Sequence, residues 1–180
     1  KTFELAMGQR HDVIIDFRNA PNEVFIENIM IQTSGRKGDG VDPKKPTALM
    51  KFVVTGAPVA NDVIIDNGTI IRDQWTPVSD NEVVATRSFR SDRAMGAWTI
   101  NNRFFNPRRT DAVPELGTTE EWTFENNSGG WWHPFHTHLE GFQIKSLNGK
   151  TPPFERSFNS DLVNLHGGEV AKVLIKFRTF

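Results

Sequence analysis

The sequence predicts an all-β fold of the sandwich type. Short runs of β-branched and aromatic residues recur along its 180 residues, flanked by Gly, Pro or Asn. No long stretch carries a clean apolar period of about 3.6 residues, so helix is expected to be minor. The aromatic content, 14 Phe and 5 Trp with no Tyr, is almost wholly apolar and suits the interior between two sheets.

Taken in order, the first strand is expected at 12–17 (D-V-I-I-D-F), between the turn-like Gly8 and Asn19. A second covers 23–33, with Val24, Ile26, Ile29 and Ile31 apolar, and a third covers 49–55. Residues 34–46, rich in Gly, Pro and charge, read as a solvated loop, with Arg36, Lys37, Lys44 and Lys45 on it. Weak, short apolar runs punctuated by Pro58, Asn61, Asn67, Gly68, Pro77 and Asp80 mark 56–92 as an inter-domain connection. A helical turn is expected near 91–95. A second β region follows, with strands at 97–100, 119–125, 138–147, 160–165 and 169–177. Alternation puts Trp122 with Phe124 on one face, and Val173 with Ile175 and Phe177 on another. The predicted organisation is thus 1–55, a connection over 56–92, and 93–180. The first strand lacks a lead-in and the last an evident partner, so a piece of something larger is expected.

Charge and composition exclude several function classes. Lys+Arg 21 against Asp+Glu 22 gives a net charge of −1, so no basic field points to nucleic acid. No run of about 18 apolar residues predicts a membrane span. No secretory signal opens the sequence. With Cys 0, the chain alone makes no disulfide, thiolate nucleophile, zinc finger, iron–sulfur site or Cys-ligated copper.

The chemistry concentrates in one hexapeptide, His133-Pro134-Phe135-His136-Thr137-His138, which holds three of the 5 histidines. Imidazole is the commonest side-chain metal ligand. The bland alternative is one buried histidine and two surface ones. Trp131, Trp132 and Phe135 supply apolar walls suited to a dry metal site. In an extended strand His136 and His138 share a face, about 6.6 Å apart at Cα, while His133 points the other way. Ligands on opposite faces do not converge on one ion, so at least two metal positions are expected. Pro134 cannot donate to a ladder, so 133–135 should be a strand entrance or a bulge.

The segment W-W-H-P-F-H-T-H-L-E-G-F-Q-I (131–144) resembles the His-x-x-His-x-His motif in the last cupredoxin domain of multicopper oxidases. Residues 8–17 look like the late strand of a middle domain, and 97–105 like the opening of the last one. Residues 120–130 and 160–177 resemble the stretches flanking the motif. Trp131 and Leu139 are most similar to the bilirubin oxidase and bacterial laccase branch.

The resemblance implies cupredoxin-like Greek-key β-sandwiches, one partial and one nearly complete. On it, 1–55 is the C-terminal part of a middle domain and 93–180 the last domain, truncated before a His-Cys-His element. It further implies copper as cofactor: His133 as a type 1 ligand, His136 on type 2 copper and His138 on type 3. The implied activity couples one-electron oxidation of phenolic, bilirubin-like or related substrates to four-electron reduction of O2 to water. The implied partners are O2, a small reducing substrate and the missing cupredoxin domains or chain segments, in an extracellular or periplasmic setting. A blue-copper site needs a thiolate, so the chain alone is expected to be inactive.

Other residues have plainer readings beside functional ones. Asp161 could orient a ligating imidazole or be an ordinary strand-edge carboxylate. Trp131 could line the substrate side or pack; Trp132 reads as core. His166 and His11 read as surface, Glu140 as structural or substrate-side, and Arg108 with Arg109 as a solvated pair. Asn67-Gly-Thr69 and Asn126-Asn-Ser128 fit the N-glycosylation pattern. The alternative class is a non-redox metal-binding β-sandwich or cupin-like protein, which Glu140 fits poorly because it follows His138 too closely. A carbohydrate-binding sandwich leaves the histidines unexplained.

Overall fold

The computed structural model describes residues 2–57, 59–60, 62–66, 68–69, 77–153, 156 and 160–178. It contains two compact units: Lys1–Arg10 with Pro77–Phe180, and His11–Thr76. Secondary structure among the described residues is β apart from 3₁₀ geometry at Arg156 and in the turn Asp80–Glu82, which is closed by a capping box between Ser79 and Glu82. No helix among the described residues is long and apolar enough to cross a membrane.

The smaller unit holds β1 (Glu23–Asn28), β2 (Met30–Ile31), β3 (Gly40–Val41) and β4 (Thr47–Val53). β1 pairs antiparallel with β4, and β2 with β3. The single strand expected over 23–33 is therefore split at Ile29. The turn region 34–39 is fixed by Asp39, which accepts from Thr33 N (2.8 Å) and Oγ1 (2.7 Å). The strand expected at 12–17 is not formed: among the described residues no ladder partner reaches it, and Val13 and Ile14 are exposed. A β-branched run becomes a strand only where a neighbour accepts its backbone bonds.

The larger unit is built on a five-stranded sheet, ordered β6 (Ala97–Ile100), β5 (Val83–Ala94), β7 (Thr119–Asn126), β11 (Val170–Lys176) and β9 (Phe142–Leu147). β5 and β7 run parallel; the other pairs are antiparallel. A second sheet pairs β8 (His133–His136) with β10 (Leu162–Leu165). Phe124, Phe142, Leu147, Val163, Leu165, Ala171, Val173 and Ile175 form the core, with Phe89, Trp122, Phe135, Ile144 and Phe177 packed against it. The expected shared faces of β7 and β11 are thus the inner ones.

Strand β5 lies largely inside the stretch expected as a connection. Its inner face carries Ala85, Arg87, Phe89 and Ser91, and polar residues there dilute the alternation. Arg87 is tolerated because it meets Glu120 (Nε–Oε2 2.6 Å, Nη2–Oε1 2.8 Å), which Trp122 Nε1 also reaches at 2.7 Å. The helical turn expected at 91–95 is instead the end of β5 and a tight hairpin. Met95 (φ 49°) and Gly96 (φ 78°) supply the two left-handed residues that such a turn requires. The strand expected to start at His138 starts at Phe142, because Leu139 (φ 73°) leaves the extended region.

Residues 2–10 belong to the larger unit rather than to the unit that follows them. Glu4 accepts from Asn164 Nδ2 (2.7 Å) and pairs with His166 Nε2 (2.9 Å), and Gly8 lies beside Leu162. This segment covers the outer face of β10, so that strand is buried on both sides. Arg156 completes the cluster through both oxygens of Glu169 (2.8 and 2.6 Å).

Burial opposes ionisation of Glu4, but the hydrogen bonds from His166 and Asn164 and the nearby cations outweigh it and hold its pKa below 4.5. Glu169 is held low in the same way by Arg156 and the His166 backbone N–H, again against burial. Both carboxylates therefore stabilise the unit fully above the ordinary carboxyl value, and that contribution is lost as pH falls through the depressed folded values. The expected urea midpoint is flat from about pH 7 to 5 and drops below that, and Glu4→Gln should flatten the acid limb. An unchanged acid limb in Glu4→Gln would show that this cluster does not drive it.

Candidate metal centre

Strand β8 carries the first two histidines on opposite faces. His133 pairs with Leu165 and Phe135 with Val163, so these four side chains share the inner face; Pro134 and His136 lie outward. Thr137 N donates to Asp161 O at 2.9 Å, one step beyond the strand. Counting back in twos makes Phe135 and His133 the hydrogen-bonded positions and leaves Pro134 at a non-bonded one. The missing N–H of proline therefore costs no bond to β10, and no bulge is needed.

His133 is half-buried. Its ring meets the Trp98 indole at 4.7 Å and 83°, and Phe135 at 6.4 Å. Its Nε2 is buried with no hydrogen-bond partner among the described residues. Burial lowers its pKa, so the imidazole is held in the neutral, ligating form.

His136 is oriented by the backbone: its Nδ1 lies 2.9 Å from Asp161 O. With a carbonyl as the partner, Nδ1 must carry the proton, which leaves Nε2 with a lone pair for a metal. The Asp161 carboxylate stands farther off, 3.8 Å from that nitrogen, and is held by Arg10 Nη2 at 2.7 Å. Asp161 thus serves as an orienting residue through its carbonyl rather than its side chain. Replacing Asp161 with Asn should leave the His136 tautomer unchanged and weaken the exposed Arg10 tie with little effect on stability. Imidazole nitrogen chemical shifts check this, and a tautomer switch in Asp161→Asn would refute it.

His138 is not on the strand. The chain bends after His136, with Thr137 Oγ1 donating to Glu140 O (2.7 Å) and Glu140 N to His138 O (3.0 Å). The bend still brings the two rings together, with centroids 4.9 Å apart at 66°. His136 and His138 are exposed and His133 faces the core. No group of three or more His, Asp or Glu side chains among the described residues is poised around one ion.

The surrounding residues depart in part from the sequence-based expectations. Trp131 stands against Trp98 at 5.2 Å and 86°, with the Arg93 guanidinium 5.3 Å from its ring. Trp132 stacks flat on His166 at 3.8 Å and 9°. His166 is accordingly a half-buried member of the Glu4 cluster, not a plain surface residue. Glu140 is buried and accepts from Arg178 N at 2.6 Å, a structural tie. Arg109 is fixed by Asp111 (2.7 Å) and Phe104 O (3.0 Å) rather than freely solvated. Asn126 is 0% exposed and donates to Trp131 O (2.6 Å) and Leu165 O (2.9 Å), so it is no glycan acceptor in the folded chain. Asn67 lies outside the described residues.

Trp98, Arg93 and Asn126 were not singled out by sequence as part of the site. Trp98 and Arg93 reach 131–133 from far along the sequence, and Asn126 reaches Trp131 across the 127–130 loop; nothing in their local pattern signals either link. Gly167 completes the frame: a Cβ there would lie 2.8 Å from Gly130 Cα, so only glycine lets the 166–168 turn approach the loop that feeds β8.

The three histidines are thus divided, one inward among aromatic rings and two outward beside each other. Residues 76–179, more than half of the chain, match the family model described as multicopper oxidase. The chain belongs to the multicopper oxidase family. It is 36% identical over 83 residues to multicopper oxidase mco of Staphylococcus haemolyticus, covering 44% of this chain and 19% of that protein. It is 28% identical over 144 residues to bilirubin oxidase of Albifimbria verrucaria, covering 79% of this chain and 25% of the relative. Among solved structures it is similar to the laccase-like multicopper oxidase CueO from Ochrobactrum sp. (TM-score 0.62, 27% identity), covering 78% of this chain and 34% of that one. This multicopper oxidase chain therefore spans about a fifth to a third of the length of these relatives. Its larger unit, two packed sheets with a parallel β5–β7 pair, is of the cupredoxin type.

The donor set fits the copper that the family name implies. It offers a neutral buried imidazole with an orphaned nitrogen and a second imidazole whose tautomer is fixed by a carbonyl. Imidazole suits copper.

Proposed function

We propose that this chain contributes part of a copper-dependent oxidase that couples one-electron oxidation of a small reductant to reduction of O2 to water. The observation that carries the reading is the division of His133 from His136 and His138 across β8. On this reading His133 is a type 1 copper ligand, His136 a type 2 ligand and His138 a type 3 ligand. Residues 93–180 then belong to the last cupredoxin domain, which β5 extends toward the N-terminus, and 1–55 to the end of a middle one, except that 2–10 pack with the larger unit. The remaining ligands, including the thiolate, come from segments outside this sequence.

Copper held by these histidines would accept electrons singly from the reductant and pass four of them, with four protons, to one O2, giving two waters. The chain's own residues prepare this. The aromatic wall of Trp98, Trp131 and Phe135 keeps water from His133. The Asp161 carbonyl holds the proton on His136 Nδ1. His133 and His136 lie three residues apart on β8, so the inner and outer positions share one short strand. The reductant is of the phenolic or bilirubin-like class, and the setting extracellular or periplasmic.

The test is reconstitution. The isolated chain should take up copper weakly and show no intense blue band. Adding the cupredoxin segments that supply the thiolate should restore the blue colour and oxygen consumption. His133→Leu should abolish the blue band, and His136→Gln should stop oxygen consumption while leaving the band. Tight single-site binding of zinc or manganese by the isolated chain would instead favour a non-redox metal protein.

A further inference from the structure

We propose that Trp98 is a positioning residue for the His133 imidazole. The inference rests on the reading of His133 as a type 1 copper ligand. Trp98 sits on β6, the edge strand of the five-stranded sheet, far from His133 in sequence and on a different sheet. Its ring nonetheless makes a near-perpendicular contact with His133 at 4.7 Å, within the range where edge-to-face aromatic pairs attract. Phe135 flanks the same imidazole at 6.4 Å.

Three features suggest that this contact sets the ring rather than merely filling space. First, His133 Nε2 makes no hydrogen bond among the described residues, so no polar partner fixes the ring's rotation as Asp161 O does for His136. Packing has to do it. Second, Trp98 is itself held. Trp131 meets it at 5.2 Å and 86°, and the Arg93 guanidinium lies 5.4 Å from its ring and 5.3 Å from that of Trp131. A cation shared by two indoles favours the orientation each ring takes. Third, Trp98 is 43% exposed, so its placement is not forced by burial in the core. An exposed tryptophan kept against one imidazole by a guanidinium clamp is a specific arrangement. The broad sp³–sp² torsion of histidine leaves its ring free to swing without such a wall. The consequence for a ligating imidazole is a single, fixed approach to the metal.

The experiment compares Trp98→Leu and Trp98→Phe with the parent in the complete, copper-loaded oxidase. Trp98→Leu removes the ring but keeps bulk; Trp98→Phe keeps an aromatic edge. The readouts are copper content, melting temperature, the blue absorption band, its electron paramagnetic resonance line shape and the midpoint potential. In Trp98→Leu the band and resonance lines should broaden and the potential shift, at unchanged copper content. Trp98→Phe should restore line shape and potential toward the parent. Parent-like spectra and potential in Trp98→Leu, with the band abolished in His133→Leu, would overturn the proposal while leaving His133 a ligand. A band that survives His133→Leu would overturn both, a distinct outcome.

Discussion

Phe124→Ala should unfold the larger unit at markedly lower denaturant, with a loss of about 3–5 kcal/mol. Phe124 is 3% exposed and lies at the junction of the two sheets. It stacks on Phe135 of β8 at 4.9 Å and 18°, and meets Phe142 at 5.9 Å, Phe89 and Trp122 at 6.1 Å. Truncation removes the ring's burial and leaves a cavity that strands fixed by ladder bonds on both sides cannot close. The stack on Phe135 also couples stability to the site, because Phe135 lies between His133 and His136. The variant should therefore lose copper retention before it loses global structure. Urea melts and metal content after dialysis check the two parts. A loss below about 1 kcal/mol would mean that β8 repacks freely onto the main sheet.

Asn126→Asp is expected to be nearly as damaging, by about 2–5 kcal/mol. The side chain of Asn126 is satisfied on every side. Its amide donates to Trp131 O and Leu165 O, and its oxygen accepts from Ser128 N at 3.1 Å and from Ser128 Oγ. Its backbone ties the end of β7 to the 168–169 turn, with N donating to Glu169 O (2.9 Å) and O accepting from Gly168 N (2.8 Å). An aspartate keeps the shape but replaces both donors with an oxygen facing two carbonyls. The charge is then buried and repelled, or the group takes up a proton and supplies only one donor. Asn126→Ser should cost less, since it removes the donors without adding charge. Equal stability of Asn126→Asp and the parent at pH 7 would refute this account of the loop that carries Trp131.

Several parts of the fold are legible in the residues themselves. The strands at 119–126 and 170–176 follow from alternation, with Trp122 and Phe124, and Val173, Ile175 and Phe177, on the inner faces; that at 97–100 follows only from its aromatic and β-branched run, since polar Thr99 is its buried residue. The run 12–17 has β-branched and aromatic chemistry too but no ladder partner among the described residues, and it forms no strand. Strand β5 is hidden for the opposite reason. Its neighbours make it a strand, although Arg87 and Ser91 on its inner face break the pattern. The Arg87–Glu120 pair that licenses this joins residues from two strands, a fact no local window contains.

The candidate site divides in the same way. The sequence by itself determined how the candidate histidines divide: His133 and His136, three apart on an extended segment, must face opposite sides, since strand side chains alternate. It also determined that no thiolate could come from this chain. Only the tertiary structure decided what holds each ring. His138 reaches His136 through a bend rather than a strand, the Asp161 carbonyl fixes one tautomer, and Trp98, with Arg93 over its ring, stands beside His133 from another sheet. The physical reason is range. Backbone alternation is a property of adjacent residues, whereas a hydrogen bond to a neighbouring strand or an edge contact between sheets depends on register and packing set by the whole core.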